Sequence, residues 1–276
     1  MRYSLKISLA FLLVFLVTSF AIINSTVDRV STNRSVSLPS KQRHQVIGSL
    51  PSIKDFHKRP SDRFLVDLEV VRRGHPYKGR RAERPHTGGH VYFDVQDISG
   101  STKTIQKSPA IYAVADGIIT RIDYSFRLRE MFEPALGKNV ANSRYGIGLT
   151  FAREGNTGVT FHYSIEPFID PETTNFYDQF ILVKLGQQVK KGQVIARMYI
   201  PENQKLAEKT HIHFNLIREG GGGFISPSIF DQKIVQEFHR RWNLFPNDPD
   251  APIPSCMGYM LEADENPFER KVVDSL

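Results

Sequence analysis

In the stretch THIHFNL, residues 210–216, apolar and polar positions alternate with period two, the mark of a half-buried strand. The alternation sends Ile212, Phe214 and Leu216 to one face and His211, His213 and Asn215 to the other. Phe64, Val66, Leu68 and Val70 alternate in the same way, and strand-like runs follow at 91–95, 110–114, 117–122, 146–151, 159–165, 193–199 and 211–217. Clusters of Gly, Pro and Asn punctuate these runs, and few helical patterns interrupt 64–220. After them Phe230, Ile234, Phe238 and Trp242 recur every four residues and predict one helix. The expected fold is therefore mostly β: an antiparallel two-sheet β-sandwich or barrel-sandwich-like body with a short C-terminal helix.

The N-terminus has a different pattern. Arg2 and Lys6 precede seventeen residues, 7–23, without a charge, and Ser19-Phe20-Ala21 offers small residues at a signal-peptidase spacing. Residues 1–23 are expected to be a signal peptide or membrane anchor, which points to a periplasmic or secreted protein, or one anchored in the inner membrane. Residues 24–61, rich in Ser, Lys, Arg and Pro with little periodicity, read as a flexible linker. The β-rich domain is expected over 62–230, and 231–276 as the helix and a tail packed on it.

Composition narrows the partners. The 276-residue chain carries a formal charge of +7, which suits an acidic polymer or an anionic surface. No nucleic-acid-binding motif accompanies the charge, so nucleic acid is not expected, and membrane contact is expected only through the N-terminal segment. The single cysteine, Cys256, excludes an intrachain disulfide framework and a thiolate zinc site. A metal would have to be held by His and carboxylate. Of nine histidines, His86 and His90 share a stretch with Asp94 (RPHTGGHVYFD), His162 stands alone on a strand, and His211 and His213 form the pair above. His44, His57, His75 and His239 have no ligand-like company.

The order His-x-x-x-Asp, isolated His, His-x-His resembles the lysostaphin/LytM-type zinc metalloendopeptidases, which cut peptide cross-links of bacterial cell walls and share the duplicated hybrid motif fold. AVADGIITRI (113–122) and VKLGQQVKKGQVIARM (183–198) resemble further segments of that family, and the match spans about residues 84–230. The resemblance implies Zn2+ on His90, Asp94 and His213, with an activated water in the fourth position. It implies His162 and His211 as general base and transition-state stabiliser, acting on a peptidoglycan peptide. A bound metal of this kind lowers the pKa of water towards about 7.

Three positions depart from the family. Tyr92 stands where the family has a glycine that lets the chain turn, and a straight strand would hold the Cα atoms of His90 and Asp94 about 13 Å apart. Gly88 and Gly89 offer a glycine in another register, which leaves open an all-histidine set of His86, His90 and His213. Thr160 replaces a common tyrosine, and 193–219 contains no glycine where the family loop is glycine-rich. Two functions remain in competition: an exported zinc endopeptidase, and a catalytically inactive wall-binding or partner-activating module with a regulatory protein partner.

Overall fold

The computed structural model describes residues 33–76, 88–94, 105–134, 137–167, 175–219, 224–225 and 229–242; positions such as His75, Pro76 and Trp242 are described through their backbone alone. In chain order the elements are β1 (Arg34–Ser37), α1 (Ser40–Ser49), α2 (Ile53–His57), β2 (Val71–Pro76), β3 (Gly88–Phe93), β4 (Ala110–Tyr112), β5 (Gly117–Glu133), β6 (Lys138–Glu154), β7 (Thr157–Glu166), β8 (Gln188–Val189), β9 (Val194–Arg197), α3 (Gln204–Ala207), β10 (His211–Arg218), β11 (Phe224–Ile225) and α4 (Gln232–Trp242). The fold is mostly β and its strand pairs are antiparallel. One sheet runs β1-β5-β6-β7-β10-β3-β2, with β8 added to β5 and β11 to β10, while β4 and β9 pair separately.

Period two decides what this sheet buries. Ile212, Phe214 and Leu216 of β10, Phe161, Tyr163 and Ile165 of β7, and Ile147 and Leu149 of β6 are all fully buried. The Phe64 ring lies 5.9 Å from Phe214 and 4.9 Å from Phe238 of α4, which closes the apolar face. Each such ring contributes about 1.5–3 kcal/mol by leaving water. The β6–β7 turn is tight, with Glu154 paired to Thr157, and Gly155 takes φ +56°, a left-handed conformation that costs glycine little.

Three expectations change. Residues 64–70 are not a strand: Phe64, Leu65 and Val66 are buried one after another, and Leu68–Val70 is a single 3-10 turn. Three consecutive buried residues need cover on all sides, which a half-exposed strand lacks. The linker expected over 24–61 is built into the fold from Arg34 onward. β1 pairs with β5 through Arg34↔Ser125 and Ser37↔Arg121, and Leu38, Ile47, Leu50 and Ile53 are buried. Its helix left little periodicity because Ile47 is the one buried residue of α1. The strand-like runs 117–122 and 146–151 are only parts of longer strands: β5 and β6 extend beyond them and pair out to Glu133↔Lys138. The apolar run 7–23, His86 and the C-terminal tail lie outside the described residues, among which no helix is long and apolar enough to cross a membrane.

Candidate functional site

Strands β7, β10 and β3 lie side by side, and their register assembles the histidines. His213 sits opposite His90 and His211 opposite Tyr92; on the other side His211, His213 and Asn215 sit opposite Glu166, Ser164 and His162. Directly opposed residues of antiparallel strands share a face, so all of these project from the side of the sheet away from the apolar core. Three segments far apart in sequence thus form one polar face.

The face has two zones. His90 and His213 are half-buried, with ring centroids 5.0 Å apart. His162 and His211, the two residues expected to face substrate, are 8% and 6% exposed. Tyr92 stacks on His211 at 4.9 Å with ring planes 30° apart, and Arg73 lies over the Tyr92 ring at 4.6 Å. His211 Nδ1 is 2.8 Å from the Lys209 carbonyl oxygen, and Nε2 is 3.5 Å from Glu166 Oε2. A carbonyl accepts only, so Nδ1 is the donor to Lys209, while Nε2 is turned towards the Glu166 carboxylate of β7.

His162 is supported from two strands away. Its Nε2 lies 3.8 Å from Oδ2 of the fully buried Asp123. Asp123 Oδ1 also accepts from Ser35 Oγ and from Arg121 Nε. β6 runs between the two partners, and Gly146 leaves the space in which they meet: a Cβ there would lie 2.8 Å from Asp123 Oδ2 and 3.3 Å from His162 Nε2. Burial pushes the Asp123 carboxyl up, but the approach of His162 and the hydrogen bonds from Ser35 and Arg121 outweigh it and hold the group below the usual carboxylate range. Burial pushes His162 below its ordinary value; Asp123 opposes this, and the charges of Arg144 and Arg121 add to it.

The zinc set implied by the resemblance is only partly brought together. β3 pairs with β10 without interruption from Gly88 to Tyr92, and Asp94 lies two residues beyond the last paired position. Asp94 is exposed and its N–H donates to the Val70 carbonyl at 2.8 Å. Among the residues whose side chains are described, no three of His, Cys, Asp or Glu are grouped to hold a metal. Of the set His90, Asp94 and His213, the strand register brings His90 and His213 together.

Sequence reading missed Asp123 and Glu166. Glu166 had a signal, since His162, Ser164 and Glu166 alternate along one strand. Asp123 had none, because its link to His162 crosses an intervening strand. No family model and no curated protein matches the chain. Among solved structures, the SpoIIQ–SpoIIIAH pore forming complex contains a chain that is similar over 58% of this chain and 85% of that chain, at 16% identity and a TM-score of 0.27, too low for the likeness to carry the fold.

Proposed function

We propose that this chain is an exported module that binds cell-wall peptide on the polar face of its sheet and does not hydrolyse it. The observation that carries the reading is the state of His211: Tyr92 covers its ring, and both its nitrogens face protein acceptors. A general acid or base must present a nitrogen to the substrate; here Nδ1 is taken up by the Lys209 carbonyl and Nε2 is turned towards Glu166 of β7. The half-buried His90, Tyr92 and His213 form the accessible part of the face. Imidazole and phenol groups there offer hydrogen bonds and stacking to an extended peptide. The charge of +7 favours approach to the anionic wall.

A hydrolytic reading keeps one observation in its favour: the 5.0 Å approach of His90 and His213, two of the ligands that the resemblance implies for zinc. The two readings separate in one experiment. The full-length protein is incubated with purified muropeptides and with intact wall, with and without chelator. The binding reading expects wall retention that chelator leaves unchanged, and no new peptide fragments. Zinc-dependent appearance of cleaved cross-links refutes it. Retention by a protein partner in place of wall would move the reading to the partner-activating module.

A further inference from the structure

We infer that Arg121 forms a subsite on the polar face for the free carboxylate that ends a bound wall peptide. The inference rests on the peptide-binding reading and deepens it by naming the group that the β5 side of the face takes.

Strand register puts Arg121 on that face. Arg121 of β5 sits opposite Gly148 of β6, Gly148 opposite His162 of β7, and His162 opposite Asn215 of β10; opposed positions share a face. The next row crosses β6 at Gly146, which lies opposite Asp123 and Ser164. Both rows therefore cross β6 at a glycine, and no β6 side chain stands between Arg121 and the histidines there. The strand order β5-β6-β7-β10-β3 separates Arg121 from the strands of His213 and His90 by three and four strand spacings, about 14 and 19 Å. An extended peptide covers that distance in about four to six residues.

The Arg121 side chain is aimed before any ligand arrives. Its Nε donates to Asp123 Oδ1 at 2.9 Å, and the Asp123 carboxylate is itself fully buried and held by Ser35. A guanidinium fixed in this way loses little freedom on binding. The side chain nevertheless remains 42% exposed, and among the described residues neither Nη group has a hydrogen-bond partner. Those two groups form the end of the planar fork that takes a carboxylate through two parallel hydrogen bonds. The local field has the matching sign: burial is the main cause of the lowered His162 value, and the positive charges of Arg144 and Arg121 add to it. A field that resists a proton on His162 favours an anion beside it.

The probes are the acid and the C-terminal amide of one synthetic stem pentapeptide of peptidoglycan, so that only the end group differs. Each is titrated calorimetrically into the full-length protein. The acid is expected to bind about 10-fold more tightly than the amide, as a hydrogen-bonded charge at a part-exposed site should, and added salt should shrink the difference. Arg121→Gln should bind both probes alike, at the affinity of the parent for the amide. Lys184→Gln, which removes an exposed positive charge in the turn before β8, should keep the 10-fold preference. Equal binding of acid and amide by the parent overturns the subsite and leaves the peptide-binding reading standing. Binding of neither probe sinks that reading and the subsite with it. Loss of both probes in Arg121→Gln would make Arg121 a structural residue, and inorganic phosphate binding as tightly as the acid would make the fork a general anion site; either result overturns the assignment.

Discussion

Gly146→Ala probes the contact between Asp123 and His162. The new methyl carbon would lie 2.8 Å from Asp123 Oδ2, about 0.6 Å inside ordinary contact, and 3.3 Å from His162 Nε2. The carboxylate cannot swing aside freely, because Ser35 and Arg121 hold its other oxygen and it is fully buried. Overpacking of this kind costs about 1–3 kcal/mol, and loosening a hydrogen bond to a charged group costs about 1.5–3 kcal/mol more. Alanine returns about 0.4–1 kcal/mol by restricting the unfolded chain. The expected net loss is about 1.5–5.5 kcal/mol, and for a domain of this size that lowers Tm by about 3–22 °C. Thermal and urea unfolding at pH 7 measure it. Gly48→Ala is the control: nothing lies within 4 Å of a Cβ there, and in a helix alanine should add roughly 0.5–1 kcal/mol. If Gly146→Ala unfolds within 0.5 kcal/mol of the parent, about the scatter of a surface change, then Asp123 and His162 do not meet over β6 as described.

Acidification should destabilise the protein through the same pair. Both His162 and Asp123 are held below their ordinary values, so the unfolded chain binds more protons; stability from His162 is full above about pH 6.5 and falls as pH drops towards its folded value, with Asp123 adding below about pH 4. Unfolding measured from pH 7 to 5 should be steeper in the parent than in His162→Gln, by at most about 1.4 kcal/mol per pH unit; equal slopes would contradict the assignment. Tyr163→Phe removes a buried hydroxyl that donates to the Tyr112 carbonyl and accepts from the Val114 N–H, both at 3.0 Å, and should cost about 2–4 kcal/mol because two buried groups lose their partner; a loss below 1 kcal/mol in urea unfolding would mean water replaces the hydroxyl. Ile53→Ala, in a segment that composition alone reads as linker, should cost about 2–5 kcal/mol because Ile53 is fully buried; a neutral result would mean that segment is not part of the folded unit.

Alternation was enough to find the strands that carry the site. THIHFNL names its buried and polar faces correctly, since Ile212, Phe214 and Leu216 are fully buried, and the His213–His90 pairing follows once β10 and β3 are neighbours. Pattern failed where burial was complete or sparse. Phe64-Leu65-Val66 is covered on all sides, so its apparent alternation had no structural counterpart, and α1 buries too little to show a stripe. Register is the other gap. His75 looked solitary because its neighbour His90 is fifteen positions away in sequence and only one strand away in space. Glu166 and Asp123 reach their imidazoles through strand order, which no local window contains. In the sequence Tyr92 stands out only as a missing glycine; its stacking on His211 arises from the pairing of β3 with β10.

β1 also protects the rest of the sheet from self-association. It has four residues and occupies the flank of β5 along 121–125, while the opposite margin, β2, carries Arg72, Arg73 and Pro76. Short margins, arginine and proline all discourage strand-on-strand association between molecules. A proteolytic product beginning after Ser37 would uncover amide and carbonyl groups along part of a seventeen-residue strand that has neither brevity nor proline to guard it. Such a fragment should lose solubility before it loses its fold, so that precipitation rather than unfolding would limit its lifetime.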